Sequence, residues 1–308
     1  MNSDSSDRLP ITELENDRSA NLSALPVREI VALMNAEDAQ VAAAVSAVLP
    51  DIERAVTAIV DRLRAGGRLF YIGTGTSGRL GVLDAAECPP TFGVSPELIQ
   101  GVIAGGYEAC YRAVEASEDD PDSAQQDLLR RGFRKEDALV GIAASGRTPY
   151  TVGAVTYARK LGAFTAAITC VPESPITQAA EVSIVPVVGP EVLAGSTRLK
   201  AGTAQKMVLN MISTATLVKL GYVSGNRMSN IRASNTKLRA RAIRVIMAET
   251  GLDGAEAEKV LDAADGDTKL ALVMTRSGSD IASARAALVD AKGVVQDAIK
   301  RIHEKSIH

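Results

Sequence analysis

A short apolar run followed at once by a glycine-rich loop is the feature that most constrains how this chain can fold. Residues 68–84 read RLFYIGTGTSGRLGVLD. The run over residues 69–72 has the length and the aromatic and β-branched side chains of a buried strand. In the loop that follows, glycines are interleaved with Thr74, Thr76 and Ser77, and helix-forming residues come next. Such a loop presents backbone N–H groups and hydroxyls to an anion such as phosphate.

The same pattern recurs later in the chain. The predicted strand over residues 138–144 leads into the loop SGRTP at residues 145–149 and then into a helix. A third loop, GSTRLK at residues 195–200, precedes a long apolar helix. Because the carboxyl ends of parallel strands share one edge of a sheet, we expect the loops to converge on one phosphate monoester. The candidate phosphate ligands are Thr76, Ser77, Ser145, Gly146, Arg147, Thr148, Ser196 and Lys200.

Two other interpretations of these loops stay open. Serine, threonine and glycine are also ordinary turn and helix-capping residues, and Arg147 fits a surface position as well. Gly73, Gly75 and Gly78 match the dinucleotide fingerprint G-x-G-x-x-G. That fingerprint also requires an acidic residue at the end of the second strand, where this chain has Ala104 followed by two glycines. Nucleotide binding is therefore the minor alternative.

Five apolar runs alternate with helical patterns along the first two-thirds of the chain. They lie at residues 69–72, 98–104, 138–144, 163–170 and 182–188. Strands that alternate with helices favour a mainly parallel sheet with helices on both faces, an α/β fold. The composition agrees, since 46% of the residues are hydrophobic but only 3% are aromatic.

Helices are predicted at both ends of the chain as well as around the sheet. A helical arm precedes the first strand, and Pro50 is expected to bend or restart it. Pro89 and Pro90 are expected to stop the helix after the first loop, and a further helix is predicted over residues 108–115. After about Gly225 only helical patterns remain, which predicts a small helical bundle.

Charge and residue usage exclude several classes of partner. A net charge of -3 gives no basic surface for nucleic acid or an anionic membrane. Cys88, Cys110 and Cys170 are odd in number and widely spaced, which fits neither a disulfide framework nor a zinc site and favours a reducing, cytoplasmic location. The polar N-terminus predicts no secretory signal, and polar residues interrupt the longest apolar segment, so no membrane span is expected.

Histidine occurs only at the end of the chain, as His303 and His308. An enzyme built on this chain is therefore expected to use carboxylate, lysine, tyrosine or cysteine as its acid and base. With no histidine nearby to activate it, Cys88 is expected to be a small buried thiol. Asp84 is expected to be structural.

The loop motifs GTGTSGRLG and AASGRTP resemble those of SIS (sugar isomerase) domains. The longer stretches GTGTSGRLGVLDAAECPPTFGV, VGIAASGRTPY and GSTRLKAGTAQKMVLNMIST are similar to those of N-acetylmuramic acid 6-phosphate etherases. The resemblance implies a three-layer αβα SIS-type fold over residues 55–222, with an N-terminal arm over 1–54 and a C-terminal bundle over 223–308. It also implies a homodimer with no metal or organic cofactor.

The resemblance further implies cleavage of the D-lactyl ether of N-acetylmuramic acid 6-phosphate. The motif LDAAECPP places the proton donor at Glu87, and the motif VEASED places the second catalytic glutamate at Glu118, with Glu115 as its competitor. In the N-terminal motif TELENDRSANL, Glu15 and Asp17 stand where the family is expected to have Arg and Pro. Two alternatives on the same scaffold are a non-catalytic sugar-phosphate sensor and an aldose–ketose isomerase.

Overall fold

A computed structural model describes residues 9–114, 118–228, 230, 233 and 235–305 of the chain. These residues form two compact units. The first contains the chain up to Ala86 and from Pro96 to Ser213, and the second contains Glu87–Ser95 and the chain from Thr214 onward. The division into three parts at residues 54 and 222 stays a prediction.

A five-stranded parallel sheet forms the centre of the first unit, as the sequence predicts. Its strands are β1 Leu69–Gly73, β2 Ile99–Ile103, β3 Ala138–Ile142, β4 Phe164–Ile168 and β5 Val182–Ile184. Their order is β2-β1-β3-β4-β5, and every neighbouring pair is parallel. The chain moves outward from β1 to β2 and then returns to β3 on the other side of β1. The loops after β1 and β3 therefore diverge, and this opens a crevice of the kind where α/β sheets bind ligands.

Helices cover the sheet, and its central strands are therefore buried along their whole length. The helices of the first unit are α1 Val27–Asp38, α2 Val41–Ser46, α3 Leu49–Arg64, α4 from Gly75, α5 Pro121–Arg130, α6 Pro149–Leu161, α7 Pro175–Ala179 and α8 from Lys200. Pro50 lies in the first turn of α3, so the arm restarts there, as predicted. The buried stripe of α3, which includes Ile52, Ile59 and Leu63, packs toward β4 and β5.

Two helix predictions were wrong. Pro89 and Pro90 do not stop α4, which continues to Phe92 with both prolines inside it. Each proline removes one hydrogen-bond donor from the helix, but the turns on either side keep the helical path. In place of the predicted helix over residues 108–115, the described part of this region, up to residue 114, has a short 3-10 helix at Gly106–Cys110, after Gly105 in the left-handed conformation (φ 81°).

The second unit contains a helical bundle and one short hairpin. Its helices are α9 Thr236–Thr250, α10 Gly254–Ala263, α11 Thr268–Ser277, α12 Ile281–Asp290 and α13 Val295–Lys305, and the hairpin strands are β6 Val223–Ser224 and β7 Arg227–Met228. Asn235, Asp253, Asp267 and Asp280 each cap a helix by accepting a backbone hydrogen bond. The sequence predicted the bundle but not the hairpin.

Candidate active site

The glycines of the first loop allow the backbone to pack closely at the end of β1. A Cβ on Gly78 would lie 2.6 Å from the carbonyl oxygen of Gly73 and 2.7 Å from the Ile103 side chain. A Cβ on Gly73 would lie 2.8 Å from the carbonyl oxygen of Ile142 at the end of β3. The spacing that matches the dinucleotide fingerprint therefore has a packing reason. Helix α4 begins at Gly75, directly after this turn.

The two hydroxyl residues of the first loop have different surroundings. Ser77 is buried, and its Oγ donates a hydrogen bond to Oε1 of Gln205 on α8 at 3.0 Å. A hydroxyl has one proton, so Ser77 cannot donate to a phosphate while this bond is made. Thr76 is half-buried, and its methyl carbon lies 3.6 Å from where a Cβ on Gly202 would stand. The binding roles of Thr76 and Ser77 stay predictions.

The second loop turns sharply between β3 and α6. Gly146 has φ +67°, and a Cβ there would collide with the Ser174 side chain, so this position requires glycine. The hydroxyl of Ser145 accepts a hydrogen bond from the backbone N–H of Arg147 at 3.3 Å. Thr148 is the N-cap residue of α6, but its side chain makes no capping hydrogen bond. The Thr148 hydroxyl therefore does not cap the start of the helix.

Arg147 is exposed and lines a cavity of about 440 Å³ beside the second loop. Pro149, Tyr157 and Lys160 of α6 line the same cavity. The volume lies within the usual range for small-ligand pockets. Two cationic side chains and the carboxylate of Asp122 therefore line one cavity next to the predicted phosphate loop.

Glu118 lies between the loop after β1 and the helix after β3. Its backbone carbonyl accepts a hydrogen bond from the N–H of Tyr150, in the first turn of α6, at 3.1 Å. Its Oε1 lies 3.4 Å from where a Cβ on Gly75 would stand. The structure thus brings this predicted carboxylate to the crevice between β1 and β3. The competitor, Glu115, lies outside the described residues.

The third loop differs from the other two because side chains of the same chain already bind its polar groups. The Nζ of Lys200 lies 2.6 Å from Oε2 of Glu37, and both side chains are almost fully buried. The two carboxylate oxygens of Glu191 each accept a backbone N–H at the start of α8, from Lys200 and Ala201, at 3.0 Å. The helix N-terminus therefore binds an internal carboxylate. Ser196 is half-buried in the preceding turn, and the phosphate-binding roles of Ser196 and Lys200 stay predictions.

The N-terminal motif binds Glu37, the carboxylate that pairs with Lys200 of the third loop. Asn16 donates to Oε2 of Glu37 at 2.9 Å and to the carbonyl of Pro190 at 3.2 Å. Arg18 lies 2.6 Å from the other oxygen of Glu37. Burial raises the pKa of Glu37, but the hydrogen bonds from Lys200 and Asn16 outweigh it and leave the pKa below its usual value. Glu37 is thus an ionised centre to which the N-terminal segment and α8 both bind.

Glu87 lies on α4 and is exposed, and it belongs to the second unit. Asp84, one turn earlier, belongs to the first unit and accepts a hydrogen bond from Ser213 of α8 at 3.1 Å. Burial raises the pKa of Asp84 to about 6, although the hydrogen bonds with Ser213 and Tyr71 act in the opposite direction. Cys88 is a buried thiol, as predicted.

Comparisons with known proteins connect these loops to a family. The glucokinase regulatory protein N-terminal SIS domain family matches residues 51–159, and the SIS domain family matches residues 120–215. An N-acetylmuramic acid 6-phosphate etherase of Clostridium beijerinckii is 49% identical over 294 residues, which are 96% of this chain and 97% of that protein. The etherase of Salmonella dublin is 50% identical over 94% of this chain and 98% of its own length. This chain belongs to the N-acetylmuramic acid 6-phosphate etherase family.

The etherases are lyase-type enzymes, so family membership makes this chain an enzyme rather than only a sugar-phosphate sensor. A relative in Brucella anthropi is 49% identical over 95% of each chain, so the etherase match includes the second unit as well as the sheet. Among solved structures, a Bacteroides fragilis protein assigned as a phosphosugar isomerase has a TM-score of 0.50 and 22% identity, over 65% of this chain and 95% of that one. This likeness supports the SIS-type fold.

Several polar residues near the etherase motifs were missed by the sequence analysis. They are Glu37, Glu191, Gln205 and Asn230. Local sequence patterns do not reveal Glu37, Gln205 and Asn230, because each binds a residue more than 100 positions away. Glu191 binds the start of α8 only nine and ten residues later, but it belongs to no motif that would mark it. Within the described ranges, no group of side chains is suited to hold a metal ion. Nor does any described helix combine the length and apolarity that crossing a bilayer requires.

Proposed function

We propose that this chain cleaves the D-lactyl ether of N-acetylmuramic acid 6-phosphate and releases N-acetylglucosamine 6-phosphate and D-lactate. Family membership over nearly the whole chain supports the reaction. The observation that carries the proposal for the site is the position of Glu118, between the loops after β1 and β3. We further propose a homodimer, as the sequence resemblance implies, in a reducing cytoplasm, as the three widely spaced cysteines favour.

The second loop is the best candidate for the phosphate site. It begins α6 at the ligand-binding edge of the sheet, and helix N-termini favour anions. Ser145, Thr148 and Arg147 would bind the phosphate oxygens, and Gly146 would let the backbone approach them. In the first loop, Thr76 would add a hydroxyl. The absence of a capping bond from Thr148 supports this assignment, because the backbone of α6 does not hold the hydroxyl in a capping orientation and it can turn toward a ligand.

The chemistry requires two carboxylates with opposite tasks. In the open-chain sugar the C2 proton is α to the aldehyde, and the lactyl ether is on C3. Glu118 would remove the C2 proton, and the enolate would expel the lactyl oxygen as Glu87 protonates it. Glu87, now ionised, would take a proton from the water that adds to C3. The carboxyl proton of Glu118 would exchange with solvent while lactate leaves, and Glu118 would then protonate C2. The net reaction consumes one water, and both carboxyl groups end as they began.

Assaying the protein with N-acetylmuramic acid 6-phosphate tests this proposal. We expect D-lactate and N-acetylglucosamine 6-phosphate in equal amounts, with solvent deuterium at C2 of the sugar when the reaction runs in D₂O. An isomerase would convert an aldose phosphate to a ketose phosphate without lactate, and a sensor would bind the sugar phosphate without turnover. No lactate at high enzyme concentration would refute the etherase proposal, and lactate without deuterium at C2 would refute the elimination route.

A further inference from the structure

The end of the helix that carries Glu87 is held by a side chain from the C-terminal part of the chain. The Nδ2 of Asn230 donates to the carbonyl of Phe92 at 2.8 Å and to the carbonyl of Gly93 at 3.0 Å. Phe92 is the last residue of α4. The final carbonyls of a helix have no partner within it. Asn230 therefore provides hydrogen bonds that the helix cannot make for itself.

The backbone around Asn230 lies directly against this helix end. Gly93 has φ +64°, and a Cβ on it would collide with the carbonyl oxygen of Asn230. Phe92 and Val94, on either side of Gly93, are 7% and 8% exposed. All these residues belong to the second unit, as Glu87 does. The contact is therefore a packed junction within that unit.

The helix needs this external support because of its own sequence. Pro89 and Pro90 have no N–H, so the carbonyls of Ala85 and Ala86, just before Glu87, receive no hydrogen bond from them. The turn that presents Glu87 thus has fewer internal bonds than an ordinary helical turn. Its orientation then depends more on what holds the helix after the prolines.

We infer that Asn230 is a positioning residue that fixes the orientation of Glu87 for proton transfer. The inference rests on the proposed role of Glu87 as the proton donor. It gives the C-terminal part of the chain a role in the reaction, although Asn230 itself touches neither substrate nor reacting atoms. Because proton transfer requires the carboxyl group within hydrogen-bond reach of the lactyl oxygen, a small shift of the helix end lowers the rate of the chemical step.

Replacing the amide tests the inference. Asn230→Ala removes both hydrogen bonds, and we expect kcat to fall by about 10- to 100-fold while KM changes by less than about twofold. The matched control is Asn226→Ala, which removes an exposed asparagine from the turn between β6 and β7. It should keep the wild-type kcat. A wild-type kcat for Asn230→Ala would overturn the inference.

The variant Asn230→Asp has nearly the same shape and gives a readout that a general loss of stability would not produce. An ionised aspartate cannot donate to the two carbonyls, whereas a protonated one donates a single hydrogen bond. The ratio of variant to wild-type kcat should therefore rise as the pH falls through the titration of this carboxyl group. A ratio that does not change with pH would contradict the hydrogen-bond mechanism.

A double variant separates this inference from the proposed role of Glu87. If Asn230 acts through Glu87, Glu87→Gln combined with Asn230→Ala should be no slower than Glu87→Gln alone. Rate losses that multiply would show that Asn230 acts by another route. A wild-type kcat for Glu87→Gln would instead refute the role of Glu87, whatever the Asn230 variants show.

Discussion

At the scale of single residues, the surroundings of the two glutamates predicted from the motifs support their catalytic roles to different degrees. Glu118 is half-buried and lies against Gly75 and Tyr150, at the crevice between two loops. Glu87 is exposed, so its proposed role depends on the family resemblance and on what holds its helix. The described residues around Glu118 therefore support a site more directly than those around Glu87.

Glu118→Gln is the sharpest test of the site. The amide keeps the size of the side chain but cannot accept the C2 proton, so we expect kcat to fall by about 10²- to 10⁴-fold with little change in KM. Steady-state lactate release measures both constants, and deuterium exchange at C2 measures the proton-transfer step alone.

Two neighbouring variants serve as controls for Glu118. Asp119→Asn changes the exposed carboxylate next to it and should leave kcat unchanged. Glu115→Gln tests the competing assignment, and it too should keep its activity. If Glu115→Gln abolishes turnover and Glu118→Gln does not, the two assignments must be exchanged.

At the scale of elements, the sequence predicted the strands and helices whose bounds are set by local patterns. The bounds of α6 were correct, because Pro149 fixes its first turn and Gly162, in the left-handed conformation, ends it. All five strands were found, since each is a buried run with a clear turn after it. The prolines in α4 misled the prediction because the helix keeps its path through both of them in spite of the hydrogen bonds that they remove.

The site was harder to predict than the fold because its hydrogen bonds join distant parts of the chain. The partner of Ser77 lies 128 residues away, at Gln205. The partner of Lys200 lies 163 residues away, at Glu37. The sequence shows that a hydroxyl or an ammonium group is present in a loop, but it does not show which groups already bind it.

The Glu37–Lys200 pair is the element-scale feature with the clearest consequence, since it ties α1 to the start of α8. Both side chains are almost fully buried, so Lys200→Met leaves a carboxylate that has lost its closest buried cation. We expect a loss of about 3 kcal/mol in the free energy of unfolding. Urea denaturation followed by circular dichroism measures it, because the chain has no tryptophan for fluorescence.

The exposed pair of Arg54 and Asp51 provides the control, since Arg54→Ala should cost less than about 1 kcal/mol. The same Lys200→Met protein tests the predicted phosphate contact. A large rise in KM at a temperature where the variant is folded would mean that Lys200 binds the substrate, and an unchanged KM would mean that its role is structural.

At the scale of the whole molecule, the etherase family match covers both compact units, whereas the two SIS-domain matches together end at residue 215. The helical bundle is thus part of what these etherases share and not an addition peculiar to this chain. Within the second unit, the hydrogen bonds from Asn230 to the end of α4 are one physical reason for these etherases to keep the C-terminal part of the chain.

Stability at the scale of the whole molecule should depend on pH through Asp84. Burial raises the pKa of this carboxyl group to about 6 in the folded protein, compared with 3.8 ordinarily. The folded state therefore holds the proton more tightly than the unfolded chain does. The stability that this gives is fully present below about pH 4 and is lost as the pH rises to about 6. Above pH 6 the ionised, buried carboxylate costs up to about 3 kcal/mol.

Asp84→Asn should remove this cost, because the neutral amide can keep the hydrogen bond from Ser213. We expect the variant to be more stable than the wild type at pH 7.5 and to lose that advantage at pH 4, with urea midpoints measured across this range. Asp61→Asn, on the exposed face of α3, should show no such pH-dependent difference. If Asp84→Asn is destabilised equally at both pH values, Asp84 is ionised and stabilising in the fold, and the raised pKa is wrong.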